Sequence, residues 1–378
     1  MCRFSKYGSS DLAKNAWRIC GCLLSILFFS AGCEHGVSAD ETDLDKNIDL
    51  VATSDKQWTG VAVSASSRLF VCYPNWSASH TFSVAELSNG STALPYPDEE
   101  WNTWKEGLDP ARHFICVQSV FIDRNDYLWI LDPAYSERNG TYTGVVEGGA
   151  KLLKFDLKTN TLIQTIIFKE PVIKKTSYLN DVRIHEDKNM AYITDSGEGA
   201  LIVVDLKTGT ARRMLATLPV VKSENRTLVI NGVPFVNEHG VPPMVHSDGI
   251  ALNASRTYLY WRPLTGESLY RISTDYISDP VYDDTALSRH IEHLGYFPPS
   301  DGMIFGFYND LYLASVEDNA IRAYDHGNET RLVRQRDDLQ WPDSFSVGAD
   351  GYLYFTTSQM QIIDPVEPYK LFKIKIRF

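Results

Sequence analysis

The sequence lacks the excess of basic residues that a nucleic-acid or anionic-membrane protein needs. It has 36 Lys and Arg residues against 48 Asp and Glu residues, which gives a formal net charge of −12 at pH 7. Because binding to DNA, RNA or an anionic lipid surface requires a positively charged face, this balance argues against all three as partners. A cation or a small neutral molecule remains compatible with it as a ligand.

Long apolar runs are also missing. The run from Ile19 to Phe29 is too short to cross a bilayer comfortably, but it follows basic residues and precedes Ser-Ala-Gly, as in a signal peptide. Cys33 comes next and resembles the lipidated cysteine of a bacterial lipoprotein, although Ser30 replaces the usual Leu; the alternative is an ordinary secretory signal. We predict a signal peptide over residues 1–33, a flexible acidic tether over 34–56 and export to the cell envelope or beyond. Membrane contact is expected only through a lipid anchor.

Cysteine is scarce in the mature chain. Of six cysteines, four fall within the first 33 residues, so only Cys72 and Cys116 remain in the predicted domain. In an exported protein these two either form one disulfide or stay as two buried thiols, and the sequence leaves both alternatives open.

Common catalytic motifs are absent too. The chain has no nucleophile elbow, no P-loop and no dinucleotide-binding glycine motif. None of its nine histidines forms a His-x-x-x-His pair, so a zinc site of that type has no support.

What the sequence does have is a repeated unit of short β-forming runs. The stretch from His246 to Ile272 contains three such runs with turns between them and no helical period. Versions of this unit recur about 45 to 65 residues apart, the period of propeller blades. They begin at Gly60, Val120, Asp181, His246, Asp301 and Asp343.

Six such units predict an all-β chain folded as a six-bladed β-propeller over residues 57–378, with four-stranded blades around a central channel. A fourth, outer strand for each blade would come from segments such as 161–167. The segment from Ile48 to Trp58 could supply the missing strand of the last blade and close the ring, which removes free sheet edges. We expect a monomer.

Three longer insertions separate the units, at residues 95–104, 222–245 and 279–293. Loops of this length are either lids over a site or disordered surface. Aromatic residues or histidines in two of them favour lids.

Several motifs resemble the major royal jelly protein and insect yellow family. The segment Gly249 to Ile272 is similar to the family's Gly-Ile-Ala-Leu, Leu-Tyr-Tyr, Pro-Leu-Ser-Ser and Leu-Tyr-Arg-Val series. Residues 128–132 resemble its Leu-Trp-Val-Leu-Asp, and residues 94–97 and 192–195 are further matches. The likeness covers roughly Trp58 to Phe378, and the order of the motifs carries it.

The resemblance implies a six-bladed propeller and an exported protein. It implies several functions, because salivary members bind biogenic amines in the channel, some yellow members convert dopachrome, and royal jelly members are largely nutritional. Amine-binding members have an Asn-x-aromatic pair where this chain has Asn319 and Ile321, so the stacking ring is missing. Phe305, Phe345 and Tyr354 could line the channel instead, or belong to the core between blades.

Acidic residues recur at the start of the repeated units. Because the first strand of a propeller blade is innermost, these residues should crowd one mouth of the channel; they are Asn180, Asp181, Asp248, Asp301 and Asp343. Such an oxygen-rich set suits Ca²⁺ or Mg²⁺, and Ser-Asp-Gly turns resemble those of gluconolactonase-like propellers, which hold a divalent metal. The alternative is ordinary turn chemistry, with each Asp accepting backbone N–H bonds.

Three functions therefore remain open. The first is binding of a small molecule, such as an aromatic amine, in the channel. The second is a Ca²⁺- or Mg²⁺-dependent hydrolase of the gluconolactonase type or a dopachrome-converting enzyme, and the third is a protein-interaction scaffold. The hypothesis of a metal-dependent hydrolase is weakened, because a lactonase-type metal site would have a Glu at the innermost strand of the first blade. No Glu lies near Gln57 and Trp58 in this chain.

Overall fold

The computed structural model describes residues 48–76, 80–89, 92–138, 141–237, 239–324, 330–362 and 367–376. The predicted signal peptide, Cys33 and most of the predicted tether lie outside these residues. Six four-stranded antiparallel sheets form a six-bladed propeller, as the repeats predicted. In ring order the innermost strands contact one another around a central channel.

The blades follow one another along the chain, and the strands of each blade run in order from the channel outward. The chain enters through β1 (Ile48–Ser54), an outer strand. The first blade contains β2 (Val61–Val63), β3 (Leu69–Cys72), β4 (Val84–Ser88) and β5 (Thr92–Pro95). The second contains β6 (Ser119–Ile122), β7 (Tyr127–Asp132), then, after a hairpin of β8 (Tyr135–Arg138) and β9 (Thr141–Val145), β10 (Lys151–Asp156) and β11 (Thr161–Ile167).

The third blade contains β12 (Leu179–His185), β13 (Met190–Asp195), β14 (Ala200–Asp205) and β15 (Ala211–Met214). A small hairpin, β16 (Val229–Ile230) with β17 (Val233–Pro234), precedes the fourth blade. That blade contains β18 (Ser247–Leu252), β19 (Tyr258–Pro263), β20 (Ser268–Ser273) and β21 (Glu292–Tyr296).

The fifth blade contains β22 (Ser300–Phe305), β23 (Leu311–Ser315), β24 (Ala320–Tyr324) and β25 (Thr330–Gln335). The sixth contains β26 (Pro342–Val347), β27 (Tyr352–Thr357) and β28 (Tyr369–Lys375), and β1 completes it from outside.

The ring is closed by its two chain ends. β1 pairs antiparallel with β28, from Ile48 opposite Ile374 to Ser54 opposite Tyr369. This confirms that the segment after residue 47 supplies the outer strand of the last blade. It also means that the propeller begins by Ile48 and not at residue 57, because residues 48–54 are part of a sheet and not of a tether.

The core consists of layers between neighbouring blades. Successive side chains of a strand point to opposite faces, so β7 supplies two layers at once. Leu128 and Ile130 pack toward the first blade, whereas Trp129 and Leu131 pack toward the third. Because both faces are covered, the middle strands are continuous apolar runs and not alternating ones.

The long insertions have different positions. Residues 95–104 pack their aromatic rings into the core, where Trp101 lies 5.1 Å from the ring of Phe114. Residues 279–293 form part of a helical segment of α1 (Thr274–Ser278), α2 (Asp284–Leu287) and a 3₁₀ turn (Ser288–His290), whose Ile277 and Leu287 pack into the core of the third and fourth blades. Another 3₁₀ turn spans Pro219–Val221. The remaining insertion, 222–245, lies at one mouth of the channel.

Within the described residues, none of the helices has the length and apolar character needed to cross a membrane.

Candidate functional site

All six innermost strands begin at the same end of the channel, which we call the upper mouth. In the third to sixth blades the pairing of the innermost strand with its neighbour shifts near its start. The two residues within each shift are Asn180-Asp181, Asp248-Gly249, Asp301-Gly302 and Asp343-Ser344. Because a bulge re-aims side chains and interrupts regular pairing, these four irregularities place the predicted acidic residues at the upper mouth.

Two glycines explain how close these strands come. A Cβ added to Gly249 would lie 2.5 Å from the carbonyl oxygen of Asp301 in the next blade, and one added to Gly302 would meet the carbonyl of Asp343. No other residue fits at such an approach of two backbones. The Asp-Gly pairs are therefore not turns; they are points of contact between innermost strands that bring neighbouring carboxylates together.

Three of the predicted residues, Asp248, Asp301 and Asp343, form what we call the carboxylate cluster. The carboxyls of Asp248 and Asp301 hydrogen-bond to each other. Asn180 Nδ2 donates to Asp248 Oδ2 at 2.8 Å, and Trp341 Nε1 donates to Asp301 Oδ2 at 2.6 Å. Asp248 and Asp343 are 3% and 5% exposed and Asp301 is partly buried, so two of the three carboxyls are shielded from water.

Burial and nearby negative charges raise the pKa values of all three groups. Burial raises the pKa of Asp301 to about 6, although hydrogen bonds from Trp341 and Asp248 oppose it. The pKa values of Asp248 and Asp343 lie well above the usual aspartate value, chiefly because of burial and then because of the charge of Asp301. The cluster therefore binds protons more readily than exposed aspartates do, and it gains from a cation that replaces them.

Asp181 has a different partner. Its Oδ1 accepts hydrogen bonds from Ser119 Oγ and Arg183 Nη1, both at 2.8 Å, and its ion pair with Arg183 is nearly buried. Its negative charge still acts on all three members of the carboxylate cluster.

The arrangement does not fit Ca²⁺ or Mg²⁺, which need six or more well-placed oxygen ligands or a near-octahedral set. Among the residues that the structure describes, no group of three or more His, Cys, Asp or Glu side chains is placed to hold a metal ion. The reason is visible in the contacts, because Arg183 engages Asp181 and Trp341 engages Asp301.

A cavity of about 340 Å³ opens at the upper mouth, and we call it the upper cavity. Its walls are mainly aromatic and apolar, and Trp341 joins it to the carboxylate cluster. The lining residues are Trp76, Tyr135, Thr176, Tyr178, Ser196, Gly197, Phe235, Asn237, Pro243, Met244, Val245, Leu264, Trp341 and Met360.

The aromatic walls are held in place by one another. On one side Trp76 Nε1 donates to the Tyr178 hydroxyl at 3.0 Å, and the Tyr135 and Tyr178 rings are 5.4 Å apart. On the other side the rings of Phe235 and Trp341 are 5.0 Å apart. A ligand between these walls would contact rings whose positions are already fixed.

The insertion 222–245 supplies one wall and is anchored to the blades beneath it. Arg226 forms ion pairs with Glu317 at 2.5 Å and Glu267 at 3.3 Å, and Val229 N donates to Glu317 Oε1 at 2.7 Å. Phe235 packs into a buried cluster with Trp341. This insertion is thus an ordered wall of the cavity, as the lid interpretation favoured.

The other predicted ligand residues lie elsewhere. Ile321 is buried in the core between the fifth and sixth blades, and Asn319 Nδ2 donates to Asn231 Oδ1 in the inserted hairpin. Phe345 is in the same core as Ile321, 6.2 Å from the Phe355 ring. Phe305 lines a second cavity at the opposite end of the channel. None of these four is among the described residues that line the upper cavity.

Of the two alternatives left open for Cys72 and Cys116, the structure has the second, two buried free thiols. Cys72 Sγ accepts from Gly60 N and contacts the carbonyl oxygen of Gln118 at 3.1 Å. Burial raises the pKa of each thiol to about 12, which keeps both protonated and unreactive.

Comparison with known proteins agrees with the motifs. The family model described as "Major royal jelly protein" matches residues 115–370, more than half of the chain. The chain belongs to the major royal jelly protein family. Honeybee (Apis mellifera) major royal jelly protein 6 is 24% identical over 267 residues, which are 67% of this chain and 56% of that protein. Honeybee major royal jelly protein 3 is 25% identical over 202 residues, 52% of this chain and 34% of that protein.

The matches thus span only about a third to a half of those royal jelly proteins. Solved structures resemble the fold at much lower identity. A gluconolactonase from Xanthomonas campestris is 11% identical with a TM-score of 0.53, covering 88% of this chain and 92% of that one. A luciferin-regenerating enzyme is 12% identical with a TM-score of 0.53, covering 87% and 94%. At such identities the likeness shows the fold alone.

Two motifs that resemble the royal jelly family have structural roles in this chain. Asp132, which ends the Leu-Trp-Ile-Leu-Asp run, accepts from the backbone N–H groups of Ile115 and Cys116 and pairs with Lys151 Nζ at 2.8 Å. Asp195 ends the corresponding strand of the third blade and accepts from Tyr178 N at 2.9 Å. Both carboxylates fasten the loop that leads into an innermost strand at the upper mouth.

Proposed function

We propose that this protein binds a small organic cation, an amine with an aromatic or apolar body, in the upper cavity. The observation that carries the proposal is the double role of Trp341. Its ring forms part of an aromatic wall, and its Nε1 holds the Asp301 carboxyl of the carboxylate cluster. An ammonium group could thus reach the carboxylates while its apolar body contacts the rings.

Physical chemistry favours such a ligand over an anion or a neutral molecule. Buried carboxylates with raised pKa values are destabilised when ionised, and a bound cation removes that cost. Aromatic faces attract cations and provide apolar contact area, with about 0.5–2 kcal/mol for each well-placed ring. A cavity of about 340 Å³ suits a molecule of one or two rings.

The cellular setting belongs to the same proposal. We propose that the protein is exported as a monomer, with Cys33 lipidated and the propeller outside the membrane. This rests on the N-terminal sequence and on the acidic net charge of −12, which suits contact with cations.

A thermal melt with matched ligands tests the binding proposal. 2-Phenylethylamine at about 100 times its Kd should stabilise the folded state by about 2.7 kcal/mol. At the same concentration 2-phenylethanol, which lacks the charge, should stabilise it far less. Asp301→Asn should remove the response to the amine. Asp126→Asn is the matched control, because Asp126 lines the cavity at the opposite end of the channel. Equal responses to amine and alcohol would refute the proposal.

A second candidate function is proton transfer on the bound ligand. The hydrogen-bonded carboxyls of Asp248 and Asp301 have raised pKa values, so one can donate a proton while the other accepts one. A dopachrome-converting enzyme would need this chemistry. Incubation of an amine-bearing ligand in D₂O, followed by NMR, tests it: deuterium incorporation that Asp248→Asn abolishes supports turnover, and unchanged ligand supports binding alone.

A further inference from the structure

A buried arginine crosses the channel just beyond the carboxylate cluster. Arg183 on β12 is 5% exposed. Its Nη1 donates to Asp181 Oδ1 on the same strand, and its Nη2 donates to the carbonyl oxygen of Met303 on β22, both at 2.8 Å. The guanidinium is therefore fixed at two points that belong to different blades.

These contacts place the guanidinium near the axis of the ring. β12 and β22 belong to the third and fifth blades, and β18 of the fourth blade lies between them. The Arg183 guanidinium also lies 5.2 Å from the centroid of the Phe121 ring on β6 of the second blade. The second and fifth blades face each other across a ring of six. A group that contacts both must lie between them, in the channel.

The depth of this contact follows from the strand register. Phe121, Arg183 and Met303 each come two residues after Ser119, Asp181 and Asp301 on their own strands. At no more than about 3.3 Å per residue, they lie up to about 6–7 Å farther from the upper mouth than those three residues. Arg183 and Phe121 also line the second cavity, of about 560 Å³, at the opposite end of the channel.

We propose that Arg183 is the floor of the ligand pocket, dividing the channel into two chambers and limiting what can be attached to the ligand's charged nitrogen. The inference rests on the proposed function, since it names a specificity-determining residue of the same site. A ligand whose ammonium reaches the carboxylates has no room for a long second substituent on the nitrogen, because that substituent would have to pass the guanidinium. The positive charge of Arg183 also disfavours a second ammonium at this depth.

A series of N-substituted amines tests whether Arg183 limits the size of the substituent on the ligand's nitrogen. We would measure by calorimetry the affinity of 2-phenylethylamine that carries methyl, butyl or hexyl on its nitrogen. The wild type should lose roughly 10-fold or more in affinity from methyl to hexyl, because overpacking a fixed wall is costly. The double variant Arg183→Ala/Asp181→Asn should lose this penalty, because the alkyl chain can enter the second cavity without leaving a buried carboxylate unpaired.

Two controls separate size from charge. Asp181→Asn alone keeps the arginine and should keep the penalty for hexyl. Arg183→Met/Asp181→Asn keeps a long side chain across the channel without its charge, and should keep most of the penalty. The same dependence on chain length in the wild type and in the Arg183→Ala/Asp181→Asn variant would overturn the inference, and so would a wild type that accepts all three amines equally.

A crystal structure of the wild type keeps the two proposals separable. If no amine of the series binds the wild type, the proposed function fails, and the crystal structure still decides whether the channel is divided. Arg183 bound to the Met303 carbonyl, with no continuous solvent along the axis, supports the floor. Arg183 turned away, with solvent continuous from mouth to mouth, overturns it.

Discussion

Replacing Asp301 by Asn should stabilise the protein at neutral pH while it removes ligand binding. The pKa of Asp301 is raised to about 6 from an ordinary value of 3.8, chiefly by burial. Because the folded-state pKa is above the unfolded one, this carboxyl favours folding fully below about pH 4, and that contribution is lost as the pH rises through about 6. At 1.36 kcal/mol for each pKa unit, the loss is about 3 kcal/mol.

This free-energy loss is an upper limit, because the Asp301 side chain is only partly shielded from solvent. Asn keeps the shape and an oxygen that can accept from Trp341 Nε1, but it cannot ionise. Asp301→Asn and the wild type should therefore have similar stability at pH 4.5, and the variant should be more stable by up to about 3 kcal/mol at pH 7.5. For a chain of this size the difference corresponds to roughly 4 °C in Tm.

Urea unfolding of both proteins between pH 4.5 and 7.5 measures this directly. The difference between the two curves isolates Asp301 from the buried His185 and the partly buried His80 and His246. Burial lowers the pKa values of these histidines, so they stabilise the fold above about pH 6.5 and lose that effect as the pH falls. Parallel pH profiles for the wild type and Asp301→Asn would refute the account of the carboxylate cluster.

Three further predictions concern the frame around the site. Lys151→Met should cost about 3–5 kcal/mol in urea unfolding, because it leaves the fully buried Asp132 carboxylate without its cation, and adding Asp132→Asn should recover part of the loss. Gly302→Ala should cost about 1–3 kcal/mol in the same assay, because its Cβ would meet the carbonyl of Asp343. Deletion of β1 should expose the edge of β28 and cause aggregation on heating, seen by light scattering; a soluble monomer would contradict closure by β1.

The sequence predicted the blades because their physical signals are local. Short apolar runs between turns mark strands, and their spacing marks the repeat, so the six units and the closing role of the segment after residue 47 could be found without a structure. The inward position of Asp248, Asp301 and Asp343 followed from the same register.

The walls and floor of the pocket could not be predicted in this way. Trp341 reaches Asp301 across 40 residues and Arg183 reaches Met303 across 120, and no local pattern marks such pairs. Phe345 and Ile321 were candidates because they lie near the right strands, but the alternation of side chains turns them into the core between blades. The spacing of Arg183 two residues after Asp181 could have indicated that this carboxylate pairs with a cation on its own strand.

The central claim is that the upper cavity binds an organic cation through the carboxylate cluster. Isothermal titration calorimetry of 2-phenylethylamine at pH 7.5, with 2-phenylethanol and calcium chloride as comparisons, tests it most directly. We predict saturable 1:1 binding of the amine, roughly 10- to 100-fold tighter than the alcohol and lost in Asp301→Asn, as expected for a hydrogen bond to a charged group. Binding of calcium in place of the amine, or amine binding that survives in Asp301→Asn, would contradict the account.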